Sequence, residues 1–86
     1  MLKADYHKHF LKDYRRLPQS IRPQFKKRLK LFLENPKNPI LRDHALTGLL
    51  KGRRAFSITG DVRVVYRFIT PDFVVLLRLG THNQIY

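Results

Sequence analysis

Two helical stripes followed by three runs of alternating hydrophobicity predict an α+β domain. The expected architecture is an N-terminal helical hairpin packed on one face of a small antiparallel sheet, in the order (β)ααβββ. Three observations carry it. Apolar residues recur at helical spacing from Phe10 to Leu33, the period changes to two after Gly52, and turn signals separate the later runs. Neither layer can bury its apolar side alone, so the hairpin must cover the sheet.

Taken in order, residues 2–5 read as a short edge strand. Phe10, Tyr14 and Leu17 then recur at helical spacing, with Lys8, Lys12, Arg15 and Arg16 mostly elsewhere. Pro18 ends that helix, because proline disfavours helical geometry in its predecessor. Ser20 is the expected N-cap of the second helix, which places Pro23 in its first turn, where a missing N–H costs little. Ile21, Phe25, Leu29 and Phe32 make one stripe, and Lys26, Lys27 and Lys30 lie largely off it. Asn35-Pro36-Lys37-Asn38-Pro39 is a stop, and residues 40–52 read as loop. Phe56 and Ile58 open the alternating region, and Thr59-Gly60-Asp61 is a tight turn. Val62, Val64, Tyr66 and Phe68 then point one way and Arg63, Val65 and Arg67 the other. After a second turn at Thr70-Pro71-Asp72, Phe73, Val75, Leu77 and Leu79 are expected to share the core face, with Arg78 opposite, beside Arg63.

The 86 residues make one domain, 1–86, with no repeat or linker. Cysteine is absent, which excludes disulfides and thiolate metal sites and agrees with a reducing cytoplasm. No apolar run approaches the roughly 20 residues of a membrane span. Charge is the strongest bulk signal: 18 Lys and Arg stand against 6 Asp and Glu, for a formal +12. Residues 1–34 hold ten basic and three acidic side chains, and residues 35–86 hold eight and three. The excess is therefore a property of the folded surface, and its natural partner is a polyanion.

On that background the histidines matter. His7 and His9 diverge along the chain and read as surface residues. His44 lies in Asp43-His44-Ala45-Leu46-Thr47-Gly48, and His82 follows the last apolar run in Gly80-Thr81-His82. Imidazole can both take and give a proton near neutrality. The six acids are scattered, so a carboxylate-rich metal centre is not expected, and no cofactor is. RNA is then the easier nucleic-acid substrate, because its 2′-hydroxyl is a built-in nucleophile. The protein needs only a base, an acid and cations to stabilise the transition state. His82, Asp61, His44, Arg63 and Arg78 are the candidates for those roles.

The segments Asp43–Gly48, Lys51-Gly52-Arg53-Arg54, Gly60-Asp61-Val62-Arg63-Val64-Val65-Tyr66 and Leu77-Arg78-Leu79-Gly80-Thr81-His82, with Tyr86, resemble the RelE/ParE superfamily of bacterial toxins, and within it the YafQ-like branch. The resemblance implies a RelE-like fold and the toxin of a type II toxin-antitoxin system, a metal-independent endoribonuclease that cleaves mRNA on the ribosome. It implies a catalytic set of His82, Asp61, His44 and Tyr86, with Arg63 and Arg78 gripping the phosphate. Lys51, Arg53, Arg54, Arg67, Lys26, Lys27 and Lys30 are then the expected RNA-docking cations. The partners implied are a cognate acidic antitoxin, ribosome-bound mRNA, and operator DNA only through the antitoxin complex. The branch often carries histidine where this chain has Ser57, tryptophan where it has Val62, and phenylalanine in place of Tyr86. Two alternatives share the fold: a ParE-like inhibitor of DNA gyrase, and an inactive nucleic-acid-binding relative.

Overall fold

Phe32, in the middle of the second helical stripe, sets the layer geometry of the molecule. Its ring stacks on Phe56, with centroids 4.2 Å apart at 11°, and meets the edge of Tyr66 at 4.7 Å. Such pairs add about 0.5–1.5 kcal/mol each beyond the area they bury. In the computed structural model, which describes all 86 residues, the elements run β1 (Lys3–Tyr6), α1 (Lys8–Arg16), α2 (Arg22–Glu34), β2 (His44–Ala45), β3 (Arg54–Ser57), β4 (Val62–Thr70), β5 (Phe73–Thr81) and α3 (His82–Ile85). The strands form one sheet in the order β1-β5-β4-β3-β2.

The α+β class and the helical hairpin on one sheet face are as expected. Phe10 and Leu17 of α1 and Phe25 and Phe32 of α2 enter one core with Phe56, Ile58, Val62, Val64 and Tyr66. The sheet itself differs from expectation in three ways. It is mixed, because β1 runs parallel to β5, with Lys3 opposite Phe73 and Tyr6 opposite Leu76. A parallel pair needs a long crossover, and here the helices precede the meander that supplies the second strand. The segment 40–52 is not all loop: it holds β2, which pairs antiparallel with β3, and a 3₁₀ turn at Gly48–Leu50, while Pro39–Leu41 makes another just before it. A single helical turn, α3, closes the chain after β5.

The phase of β5 also differs. Val74, Leu76 and Leu79 face the helices, and Leu77 faces away. A register shift between Val65 and Tyr66 makes this possible: Val65 pairs with Arg78 but Tyr66 with Leu76, so Leu77 is an extra residue on β5. Such a bulge reverses the alternation on its strand. Ser20 is not the cap of α2. It lies in a 3₁₀ turn, Gln19–Ile21, that leads into the helix, and Pro23 does fall in the first turn. The sheet face away from the hairpin is partly covered, since Ile85 of α3 packs on Ala55 and Val65, with Leu46 and Leu77 beside them. No helix is long and apolar enough to cross a membrane.

Candidate active site

The turn between β3 and β4 is locked by its own backbone and one hydroxyl. Ile58 N–H and Thr59 N–H donate to the Val62 carbonyl at 2.8 and 3.2 Å. The Thr59 hydroxyl oxygen accepts from Asp61 N–H at 3.2 Å and from Val62 N–H at 3.0 Å. This holds Asp61 at the tip and starts β4 with Arg63 on the face away from the hairpin, opposite Ser57 of β3 and Gly80 of β5.

The end of β5 is built with equal economy. Thr81 and Gln84 form a reciprocal capping box, with Thr81 N–H donating to Gln84 Oε1 at 2.8 Å. The helical turn therefore begins directly off the strand and folds back over it. A Cβ at residue 80 would stand 2.7 Å from Gln84 Oε1, the free end of the side chain that accepts from Thr81 N–H, and 3.2 Å from Ile85 Cγ2, so glycine leaves this cap undisturbed. His82 is the first residue of α3 and is exposed. Its ring meets Tyr86 edge-on, centroids 4.4 Å apart at 82°.

These two constructions face each other. A hollow of about 340 Å³ is lined by Gly60, Asp61, Arg63, Thr81, His82 and Asn83. Three of the residues singled out in the sequence thus converge, and Tyr86 reaches the group through His82. Arg63 is the electrostatic feature of the hollow: its Nε is buried and has no hydrogen-bond partner, and neither ion pair of the molecule involves it. A buried guanidinium nitrogen without a partner is costly unless an anion supplies one.

His44 stands on the same sheet face, in the row that runs from His44 through Ala55 and Val65, but at the β2 edge and outside the hollow. Its Nδ1 lies 3.0 Å from the Arg42 carbonyl. A carbonyl can only accept, so in the neutral ring this bond places the proton on Nδ1 and the lone pair on Nε2.

Two of the expected cations are engaged elsewhere. Arg78 does not line the hollow of Arg63. Its register partner is Val65, but its side chain reaches back to α1, where its Nε donates to Asp13 Oδ2 at 2.7 Å and its Nη2 to Asp13 Oδ1 at 3.3 Å. Asp13 also accepts from Leu79 N–H at 2.9 Å, so one carboxylate holds both residues that follow the extra residue of the bulge. The hydrogen bond to Asp13 raises the Arg78 pKa. Arg54 is likewise paired, 2.6 Å from Asp43, and the hydrogen bond to that carboxylate raises its pKa. Tyr66 donates its hydroxyl to the same Asp43. Burial first, and then the bond to Asp43, push the Tyr66 phenol well above its ordinary value. Asp13 is marked by nothing local, and Asp43, though it opens the segment Asp43–Gly48, carries no sign of its pairing: their partners Arg78 and Arg54 lie 65 and 11 residues away.

The remaining cations are exposed. Lys51 and Arg53 sit in the segment before β3 and Arg67 on β4, while Lys26, Lys27 and Lys30 are on the solvent side of α2, in the layer opposite His82. Nowhere do three His, Asp or Glu side chains converge as a metal ion would require.

Residues 2–86 match the family described as bacterial toxin of type II toxin-antitoxin system, YafQ. No curated protein matches the chain in sequence. Among solved structures, a copper-bound point-mutant toxin from Helicobacter pylori is 34% identical over 100% of both chains, with a TM-score of 0.73. YafQ from Escherichia coli is 23% identical over 100% of this chain and 99% of its own, with a TM-score of 0.79. The toxin chain of the Escherichia coli DinJ-YafQ complex is 23% identical over 100% and 99%, with a TM-score of 0.76.

Proposed function

The chain belongs to the YafQ family of type II toxin-antitoxin toxins, and from that premise we propose that it is an endoribonuclease that cuts mRNA on the ribosome at the hollow between His82 and Asp61. The observation that carries the reading is Arg63. A guanidinium with a buried, unpartnered nitrogen lies beside an exposed imidazole and a carboxylate, on a molecule of charge +12. That set suits a phosphodiester in transit between two proton-transfer groups.

The chemistry needs no metal. A base removes the 2′-hydroxyl proton, the resulting oxygen attacks the adjacent phosphorus, and the 5′-oxygen leaves with a proton from an acid. The products are a 2′,3′-cyclic phosphate and a free 5′-hydroxyl. His82 and Asp61 handle the protons at the hollow, with His44 assisting through its free Nε2. Arg63 stabilises the extra negative charge that builds on the phosphoryl oxygens. Tyr86 orients the His82 ring. Arg78, bound to Asp13, acts here by holding the end of β5 from which α3 springs.

The complex of Escherichia coli YafQ with DinJ supports a second part of the reading. This chain is neutralised by a cognate antitoxin, acidic where it meets the basic surface, and reaches operator DNA only through that partner.

The first test is growth. Expression of the wild-type chain arrests growth, and His82→Ala, which alters an exposed side chain, relieves the arrest while the protein still accumulates. Full toxicity of that variant would sink the assignment.

A further inference from the structure

Three hollows meet around the β3–β4 turn, and they differ in the state of their charges. The largest, about 470 Å³, contains Arg78 and Arg16 but also the carboxylates Asp13 and Asp61, and Arg78 is already paired there. The hollow of His82 contains Arg63 and Asp61. The third, about 430 Å³, has no acid at all. It is lined by Arg28 of α2, by Arg42, and by Ser57, Thr59 and Gly60 of the turn, with Pro39 and Ile40 on its rim.

Three side chains of this third hollow, those of Arg28, Arg42 and Thr59, are able to donate into it. Neither Arg28 nor Arg42 is in either ion pair of the molecule. Arg28 gives Nη1 to the Ile40 carbonyl at 2.9 Å, which fixes its guanidinium at the wall and leaves its other N–H groups free. Arg42 is the only non-glycine residue with positive φ, at 51°, a conformation that such residues adopt rarely. Its N–H donates to the Pro39 carbonyl, and its own carbonyl lies against His44. The Thr59 oxygen already accepts two backbone N–H groups, so its hydroxyl proton must point elsewhere. Arg42 also borders a hollow that holds Asp43, but that carboxylate is taken by Arg54 and Tyr66, so two guanidinium groups and a donating hydroxyl remain to match a phosphate.

The position says which phosphate. Gly60 lines both this hollow and that of His82, and Ser57 here is the direct cross-strand partner of Arg63 there. We infer that Arg28 and Arg42 form a second phosphate-binding site, which takes a backbone phosphate of single-stranded RNA flanking the one held at Arg63. This rests on the reading of the chain as an RNA-cutting toxin and adds two residues that the sequence did not single out.

The test is binding of a short all-2′-O-methyl RNA, which lacks the attacking hydroxyl and so stays intact, measured by fluorescence anisotropy over a range of salt. Wild type is compared with Arg28→Ala and Arg42→Gly. Each variant is expected to bind the oligonucleotide more weakly, with a log affinity against log salt slope smaller by about 0.7 for the lost contact. A dinucleotide of the same chemistry, which carries no flanking phosphate, is expected to bind all three proteins alike. Arg28→Ala also removes the bond to Ile40, so Arg42→Gly is the cleaner variant: glycine tolerates the positive φ, and a purely structural role predicts an unchanged or higher Tm with an unchanged slope. Unchanged affinity and slope in Arg42→Gly would overturn the site. So would loss of binding to a polyglutamate peptide with RNA binding intact, which would assign the hollow to an acidic protein segment. Because the RNA is uncleavable, the result is independent of the nuclease reading: binding through both arginines without any mRNA cleavage removes the nuclease and keeps the site, and normal cleavage and binding by the double variant does the reverse.

Discussion

Arg54, Arg78 and Arg63 carry the same side chain and differ in what holds it. Asp43 holds the first and Asp13 the second, at 2.6 and 2.7 Å, while the third has a buried nitrogen and no partner. Removing a holder has a calculable cost. Asp13→Ala strands the Leu79 N–H and releases Arg78, and we expect a loss of about 1–3 kcal/mol, toward the lower end because Arg78 is 38% exposed. Thermal unfolding checks this, and an unchanged Tm would contradict it. Tyr66 supplies a pH test. Its phenol titrates above its ordinary value of 10.0 in the folded chain. A raised folded pKa means that the contribution is fully present below pH 10 and is lost as pH rises beyond it. The stability of wild type relative to Tyr66→Phe should therefore fall by about 1.4 kcal/mol per pH unit above roughly pH 10. Denaturant titrations at several pH values measure it, and a difference that stays flat with pH would exclude the buried Asp43 bond.

Among the elements, α1, α2 and the β3–β4 turn were legible because each is written locally. Phe10, Tyr14 and Leu17 mark one helical face, Phe25 and Phe32 another, and Thr59-Gly60-Asp61 is a turn in its own right. The phase of β5 was not legible. Phe73-Val74-Val75-Leu76-Leu77 is apolar at every position, so alternation cannot tell which side faces the core. Asp13, on a helix 65 residues away in the chain, takes up Arg78 and Leu79 N–H just after the bulge. Asp13 also draws the Arg78 guanidinium out of the hollow that Arg63 lines, a long-range pairing with no local mark, whereas His82, Asp61 and Arg63 are each set by a local turn or cap and line one hollow. The parallel pairing of β1 and the two-residue β2 escaped because both depend on partners 70 and 11 residues away. At this scale the α3 cap is the sensitive element. Gly80→Ala would push a Cβ to 2.7 Å from Gln84 Oε1 and should displace α3, with loss of activity larger than loss of stability. Equal activity and an unmoved His82 resonance in the NMR spectrum would contradict that.

The whole molecule is a basic body with two working layers. The hairpin carries Lys26, Lys27 and Lys30 outward on one side, and the opposite sheet face carries Arg63, Arg67, His44 and His82. An acidic antitoxin able to wrap both layers would meet charge on each. The affinity of the pair should fall steeply as salt rises, and an affinity flat in salt would mean a mainly apolar contact.

The most direct test of the central claim is the single-turnover rate of cleavage of ribosome-bound mRNA by purified wild type, His82→Ala and Arg63→Ala, each checked for an unchanged Tm. A proton-transfer group and a transition-state cation in one hollow predict that each variant loses about 10²-fold or more in rate. Cleavage by either folded variant at the wild-type rate would contradict the account.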